Sequence, residues 1–223
     1  GGSPVSVTSW AQHLAHAGHT VAAPRLPGHG TRWQDLNRTR WQDWYEEADR
    51  NYAWLTRRSD TVVVMGLSNG ATLGLRLAER HLDLAGLVLV NPQVHTERLD
   101  TRLLPGVRYL VPGVPAAVND IKKPGVDEGA YDRTPLHAAH STKQMWASVK
   151  SDIHRVDCPI LLIHSADDHV VEPSNTLWIM ANVTSSDVRE IVLENSFHVA
   201  TMDNDAQVVF DASLAFAREM TAA

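Results

Sequence analysis

A glycine-flanked serine turn at residues 66–70 (Gly-Leu-Ser-Asn-Gly) limits the folds open to this chain more than any other stretch. A β-branched run, Thr61–Val64, precedes it, and apolar residues at helical spacing follow it over 71–80. The five-residue pattern is weak evidence alone, because glycine and serine are common enough for it to occur by chance. Strand, turn and helix together, however, are typical of a nucleophile elbow. We expect both glycines to remove side chains that would collide where the strand and helix nearly touch. Such a turn would present Ser68 Oγ at the carboxyl end of a sheet, with the Asn69 N–H behind it as an oxyanion donor.

Composition restricts the class of protein. The chain has 223 residues, of which 43% are hydrophobic, enough for one domain with a substantial core and an insertion. A formal net charge of −6 argues against nucleic acid as a partner. The longest strongly apolar stretch, Leu84–Val90, is too short to span a bilayer. The single cysteine, Cys158, excludes an internal disulfide and is more typical of a small core residue than of a nucleophile, so we expect a soluble, cytoplasmic protein.

Strand and helix patterns alternate along most of the chain, which predicts an α/β fold with a mostly parallel sheet and helices on both faces. Residues 94–155 interrupt this alternation with prolines, glycines and short apolar pieces, and 138–149 is their most regular helical stretch. We therefore predict a core formed by residues 1–93 and 156–223, and a small cap of short helices and loops inserted at 94–155. The predicted strands are 20–23, 61–65, 84–90, 159–164 and 188–193, and the predicted helices are 10–17 (capped by Ser9), 41–57, 71–80, 173–181 and 204–220.

Three polar residues follow predicted strands in the order Ser, Asp, His, which is the chain order of an α/β-hydrolase triad. A serine nucleophile needs a base to accept its proton and a carboxylate to orient that base. His198 follows the last strand, and either Asp167 or Asp168 follows the strand before it. Two adjacent carboxylates in a loop cannot both face one imidazole, so only one of them can be the acid. We favour Asp168 because of its offset before the two valines at 170 and 171. Lesser candidates for the base are His95, His164 and His169. We expect His29 to be a structural loop residue.

Four segments together resemble the bacterial carboxylesterases and monoacylglycerol lipases of the α/β-hydrolase superfamily. The resemblance covers nearly the whole chain, and it implies hydrolysis of short- and medium-chain esters, often monoacylglycerols, beneath a small cap and without a cofactor or metal. It assigns Ser68, Asp168 and His198 as the triad, and it also favours Asp168 over Asp167. The segments are 24–30 (Pro-Arg-Leu-Pro-Gly-His-Gly), 66–70, 166–171 (Ala-Asp-Asp-His-Val-Val) and 196–203 (Ser-Phe-His-Val-Ala-Thr-Met-Asp).

The chain departs from the family pattern in two places. Asn69 stands where the family usually has methionine after the nucleophile, so a polar side chain lies against the pocket floor. The chain also opens at Gly2-Ser3-Pro4, which resembles the end of the family segment that supplies the second oxyanion N–H. We therefore expect a fragment that lacks a strand between the 20–23 and 61–65 strands. Its unpaired edges would be costly, and a missing segment or a partner would fill the slot.

The function predicted from the sequence is hydrolysis of a small-molecule carboxylic ester through an acyl-enzyme on Ser68. Two alternatives remain open at this point. Another chemistry on the same fold, such as C–C bond hydrolysis or perhydrolysis, is one of them, because a fold does not determine a reaction. A non-catalytic binding or interaction protein that retains the fold is the other. Asn69 and the expected missing start mildly favour it, whereas the intact set of Ser68, Asp168 and His198 argues against it.

Overall fold

The centre of the molecule is a four-stranded parallel sheet, seen in a computed structural model that describes residues 2–116 and 118–222. The strands of the structure are β1 (Val63–Leu67), β2 (Gly86–Val90), β3 (Gly113–Pro115), β4 (Arg133–Pro135), β5 (Ile160–Ser165) and β6 (Val188–Leu193). The sheet order is β1-β2-β5-β6, and β3 pairs with β4 in a separate antiparallel pair.

Eight α-helices surround these strands in the described residues, and three short 3₁₀ turns lie between them. The helices are α1 (Val5–His16), α2 (Trp33–Leu36), α3 (Trp41–Thr56), α4 (Asn69–Arg80), α5 (Leu104–Val107), α6 (Leu136–Asp152), α7 (Ser174–Asn182) and α8 (Ala206–Ala222); the 3₁₀ turns are Leu99–Leu103, Ile153–Arg155 and Ala200–Met202.

The two faces of the sheet bury alternate residues of each strand, as the period of two in a β-strand requires. On β2, Leu87 and Leu89 pack with α3, α4, α7 and the end of α6. Val88 and Val90 face the opposite way and pack with α1 and α8. All five residues of β2 are buried, because helices cover both faces. This three-layer arrangement confirms the predicted α/β fold, and it brings the carboxyl ends of β1, β5 and β6 to one edge.

The predicted strand at 20–23 is wrong, because the structure has no strand there. An extended segment becomes a strand only when its main-chain groups find a hydrogen-bonding partner. Within residues 2–116 and 118–222, β1 pairs on one side only, with β2. Residues 20–24 instead line a cavity of about 1190 Å³ that also borders β1 and reaches Ser68. The other four predicted strands are confirmed, with ends shifted by a few residues.

Two further predictions need correction. The first helix begins at Val5 and not near Trp10, so Ser9 lies inside the helix and Pro4 occupies the N-cap position. The 94–155 segment contains the β3–β4 pair as well as short helices. Strands of three residues that contain proline carry almost no alternation, so sequence periodicity cannot reveal them. The regular helix predicted at 138–149 is confirmed as the middle of α6.

Candidate active site

Ser68 occupies a strained turn between β1 and α4. Its φ of 55° and ψ of −119° lie where L-residues are rarely found. The turn is held from the sheet side, because the Ser68 N–H donates to the carbonyl of Val90, at 2.8 Å. Gly66 is required by close approach, since a Cβ there would lie 2.3 Å from the Gly70 carbonyl carbon. A Cβ at Gly70 would meet no described atom within 4 Å apart from its chain neighbours and the backbone of its own helix, so the predicted steric role applies to the first glycine and not to the second.

The structure brings Ser68, His198 and Asp168 into one hydrogen-bonded chain. His198 Nε2 lies 3.0 Å from Ser68 Oγ, and His198 Nδ1 lies 2.8 Å from Asp168 Oδ2. The three residues follow β1, β6 and β5 respectively, at the carboxyl edge of the sheet. The side chains of His198 and Asp168 are 10% and 6% exposed. A neutral imidazole in this position can accept a proton at Nε2 while Nδ1 donates to the carboxylate.

The loop after β5 distinguishes its two adjacent carboxylates. Asp168 Oδ1 accepts the N–H groups of Val170 and Val171, each at 2.8 Å, which leaves Oδ2 free for His198. The Asp167 side chain is 61% exposed and lies 3.4 Å from the ring of His169. Asp168 is therefore the carboxylate that the structure places against the histidine.

The other sequence-predicted histidines have different partners. The ring of His95 contacts Ser174, that of His164 contacts Glu190, and that of His169 contacts Asp120. His29 lies edge-on against Trp44, with its Nδ1 3.2 Å from the Pro27 carbonyl oxygen. Burial lowers the pKa of His29 to about 4, so the ring is neutral at physiological pH and suits a structural role.

Main-chain and amide contacts hold the loop of His198. The Asn91 side chain, which follows β2, donates to the His198 carbonyl at 2.7 Å and accepts the Ser165 N–H at 2.8 Å. Ser165 Oγ in turn donates to the Phe197 carbonyl at 2.8 Å. The sequence analysis did not identify Asn91 as a supporting residue. A polar residue at the carboxyl end of a fully buried strand was the available signal.

Asn69 is the first residue of α4, so its N–H has no acceptor within the helix. The positive end of the helix dipole lies at the same point, and both features favour an oxyanion beside Ser68. The Asn69 side-chain oxygen is buried and has no hydrogen-bond partner among the described residues. This oxygen without a partner is a consequence of the polar residue that stands where the family usually has methionine.

The cavity at Ser68 has polar and apolar walls. Ser68, Asp168 and His198 line it together with residues of the 94–155 segment. Cys158 lies away from the cavity in the core, and burial raises the pKa of its thiol to about 12, which makes it a poor nucleophile. Among the described residues, no group of three or more His, Cys, Asp or Glu side chains is placed to hold a metal ion. The 94–155 residues that line the cavity include Leu103, Leu104, Val107, Val114, Tyr131, Ala139 and Trp146.

A parallel sheet with a strained serine elbow, and with an aspartate and a histidine at the ends of later strands, defines the α/β-hydrolase class. Comparison with known proteins gives the family. The family model described as serine aminopeptidase, S33 (Hydrolase_4) matches residues 6–205, and the chain belongs to this family. Within it, the protein is an enzyme of the carboxylesterase and lipase group.

The similar proteins include a lipase, a carboxylesterase and a lipolytic enzyme. A thermostable monoacylglycerol lipase of Bacillus sp. (strain H-257) is 38% identical over 218 residues, which cover 96% of this chain and 86% of that protein. A carboxylesterase of Bacillus subtilis (strain 168) is 22% identical over 217 residues, 93% of this chain and 85% of that one. A solved structure from work on LipS and LipT, two metagenome-derived lipolytic enzymes, is 36% identical with a TM-score of 0.94, covering 98% and 89% of the two chains.

No helix in residues 2–116 and 118–222 combines the length and apolar character needed to cross a bilayer.

Proposed function

We propose that the protein hydrolyses carboxylic esters through an acyl-enzyme on Ser68, with His198 as general base and acid and Asp168 as the residue that orients it. The observation that supports this most strongly is the pair of hydrogen bonds that joins the three side chains, 3.0 Å and 2.8 Å long. Its serine member stands on a strained turn, where a side chain is held exposed to a reactant.

In the proposed mechanism, His198 Nε2 accepts the Ser68 proton as Oγ attacks the ester carbonyl carbon. The Asn69 N–H donates to the developing oxyanion. Asp168 holds the imidazole in the tautomer that leaves Nε2 free, and it stabilises the imidazolium that forms. His198 then protonates the leaving alcohol. In the second half-reaction the same histidine activates water, which releases the acid and regenerates Ser68.

The substrates in this proposal are esters of short- and medium-chain acids, including monoacylglycerols. A relative that is 38% identical over 218 residues is a monoacylglycerol lipase, and a cavity opens at Ser68. Apolar side chains such as Leu103, Leu104 and Trp146 suit an acyl chain, while the polar wall suits the hydroxyl groups of an alcohol.

We further propose that residues 94–155 act as a cap over this cavity and that residues 1–93 and 156–223 form the core. The support is that the 94–155 segment contributes side chains to the cavity from the 3₁₀ turn at Leu99–Leu103, from α5 and from α6. The last turns of α6 also pack on the sheet, through Val149. This packing would anchor the cap to the core.

We also propose that a further segment or a partner pairs with β1 on the side away from β2 and supplies the second oxyanion donor. Among the described residues that side of β1 pairs with no strand, and β1 borders the same cavity as Ser68. A cytoplasmic location is also part of the proposal, supported by a chain with one cysteine, which lies buried in the core.

The test is turnover of p-nitrophenyl esters with two to twelve acyl carbons and of monoacylglycerols of the same chain lengths. The wild-type protein should hydrolyse them with a clear optimum in chain length, and Ser68→Ala should show only background hydrolysis. A fluorophosphonate probe should label the wild type and not the variant. Ester turnover retained by Ser68→Ala would contradict the assignment of the nucleophile.

The same assays separate the alternatives. Absence of both turnover and probe labelling in the wild type would favour a non-catalytic binding protein. Labelling without ester turnover would favour another reaction on the fold. Because the family description names an aminopeptidase, aminoacyl p-nitroanilides belong in the panel, and we expect turnover of these amides to be far slower than that of the esters.

A further inference from the structure

Asp120 lies in the loop between β3 and β4, within the 94–155 segment. Its side chain is 18% exposed and points to the two loops that carry Asp168 and His198. The preceding residue, Asn119, has a φ of 57° and exchanges two hydrogen bonds with Glu128, which braces the loop. This loop, which lies outside the parallel sheet, therefore places a mostly buried carboxylate against the loops that carry Asp168 and His198.

Asp120 contacts both active-site loops. Oδ2 accepts the main-chain N–H of His198 at 3.1 Å and that of His169 at 3.3 Å. Oδ1 lies 2.8 Å from His169 Nδ1. The Asp120 carbonyl accepts the N–H of Val199 at 3.1 Å. A single residue thus joins the loop after β5 to the loop after β6.

These contacts act on the main chain of the proposed base. Asn91 holds the His198 carbonyl at 2.7 Å, and Asp120 holds the His198 N–H at 3.1 Å. With both peptide groups of the residue fixed, the imidazole keeps Nε2 directed at Ser68. Proton transfer needs such placement, because small displacements of a catalytic group lower the rate steeply.

His169 strengthens the link. Its hydrogen bond with Asp120 raises the pKa of the imidazole, which favours a charged pair. The same ring lies 4.5 Å from that of Phe197, edge to face. Phe197 precedes His198 and His169 follows Asp168, so these rings pack the two loops together directly beside the proposed triad.

A second carboxylate fastens the same stretch of chain. Asp203 is buried, and it accepts the N–H groups of Lys122 and Lys123 at 2.7 Å and 2.8 Å. It also accepts the N–H of Phe197 at 2.9 Å. Residues 120–123 therefore contact the chain around His198 at two points, through Asp120 and through the N–H groups of Lys122 and Lys123.

We propose that Asp120 is a positioning residue for the ester hydrolase reaction, which sets the His198 loop against the Asp168 loop through hydrogen bonds to main-chain N–H groups. The proposal rests on the function proposed above for Ser68, Asp168 and His198. It makes the β3–β4 loop part of the apparatus that orients the base, in addition to any role of the 94–155 segment in covering substrate.

The experiment compares Asp120→Ala and Asp120→Asn with the wild type, using p-nitrophenyl ester kinetics, fluorophosphonate labelling rates and thermal unfolding. We expect Asp120→Ala to lower kcat by about 10- to 100-fold, to slow labelling in proportion, and to leave KM within about twofold, because Asp120 does not contact the scissile bond. Asp120→Asn retains an oxygen that accepts N–H groups, so its kcat should stay within about threefold of the wild type. Asp132→Ala, which removes an exposed carboxylate of the same segment, is the matched control.

Wild-type kcat and labelling in Asp120→Ala would overturn the proposal. So would an equal loss in Asp120→Asn, which would point to charge and not to hydrogen bonding, or a loss confined to KM. If Asp120→Ala unfolds at a lower temperature, Asp120→Asn decides, since its recovery of kcat tests the same hydrogen bonds in a folded protein. Activity that survives Ser68→Ala would show that the proposed function has failed, independently of Asp120.

Discussion

Among single residues, hydrogen bonds from outside the proposed triad hold both Asp168 and His198 in place. Two valine N–H groups hold one oxygen of Asp168 and leave the other for His198. Asn91 holds the carbonyl group of His198, and Asp120 holds its N–H group. Fixed acceptors and donors of this kind cost no reorganisation when a proton moves, which is the basis of preorganised catalysis.

The two adjacent carboxylates of the loop after β5 offer a matched pair of variants. Asp168→Asn should lower kcat by roughly 10⁴-fold, because an amide at this position no longer selects the tautomer that leaves Nε2 free. Asp167→Asn removes a carboxylate that is 61% exposed and lies 3.4 Å from the ring of His169. It should leave kcat within about twofold, because Asp168 and not Asp167 is bonded to the His198 ring.

Steady-state kinetics on p-nitrophenyl butyrate would test this pair, with thermal unfolding to confirm that both variants fold. Equal losses in the two variants, or a larger loss in Asp167→Asn, would contradict the assignment of Asp168 as the orienting acid.

The sequence predicted the three residues that end in hydrogen-bonded contact, because each follows a strand and the chain order is characteristic. It did not predict Asn91, Asp120 or Asp203 as their supports. Asp120 belongs to a loop without periodicity, and its partners lie 49 and 78 residues away along the chain. No local pattern encodes a contact over that separation. Such supports emerge only when the fold is known.

Among the elements, β1 and α4 lie so close together at the serine turn that no side chain fits at position 66. A Cβ on Gly66 would lie 2.3 Å from the Gly70 carbonyl carbon and 2.5 Å from the Ala71 nitrogen. These are backbone atoms, so no side-chain rotation relieves the overlap. The first glycine of the motif is therefore a requirement of geometry, and the strain of Ser68 depends on it.

The two glycines should accordingly differ in their tolerance of alanine. Gly66→Ala should lower the free energy of unfolding by about 3 kcal/mol or more and abolish ester turnover, as overpacking against backbone does. Gly70→Ala places its Cβ in space that, apart from its chain neighbours and the backbone of its own helix, is free of described atoms within 4 Å, and alanine is the better helix former by up to about 1 kcal/mol. This variant should keep or slightly raise thermal stability.

Circular dichroism melts and ester kinetics on both variants provide the measurement. A Gly66→Ala protein that folds and turns over ester normally would show that the turn can open at this point, contrary to the structure.

The helix at 41–57 was predicted well, and the strand at 20–23 was not. The amphipathic stretch 41–57 became α3 with nearly the same ends, since its apolar stripe alone determines which face is buried. The 20–23 stretch (Thr-Val-Ala-Ala) has only two β-branched residues, and the described residues provide no ladder for it to join. Pairing is a property of the neighbour as well as of the segment.

At the scale of the whole molecule, a buried ion cluster links the helix that follows the nucleophile to the end of α6. Arg76 on α4 contacts Glu79 at 2.6 Å and Asp152 at 2.7 Å. Glu79 is fully buried, and one of its carboxyl oxygens has no hydrogen-bond partner among the described residues. Arg76 divides its charge between two carboxylates, so it compensates only part of the desolvation of Glu79.

Burial raises the pKa of Glu79 to about 7, although the contact with Arg76 opposes the shift. In the unfolded chain the same group ionises near its ordinary value of 4.5. Between these two values the unfolded state releases a proton that the folded state retains, so this group makes stability fall as pH rises from about 4.5 to about 7. Its favourable contribution is complete below the lower value and lost above the upper one.

Glu79→Gln should remove this pH dependence, because glutamine accepts the Arg76 hydrogen bond without ionising. At pH 5 the variant should unfold near the wild-type temperature, and at pH 8.5 it should be the more stable by roughly 2–3 kcal/mol. Glu219→Gln is the control, since Glu219 is exposed and pairs with Arg189 on the surface, where loss of a pair changes stability little. Denaturant unfolding across this pH range provides the measurement, and a Glu79→Gln curve parallel to that of the wild type would show that Glu79 is ionised in the fold, held so by Arg76.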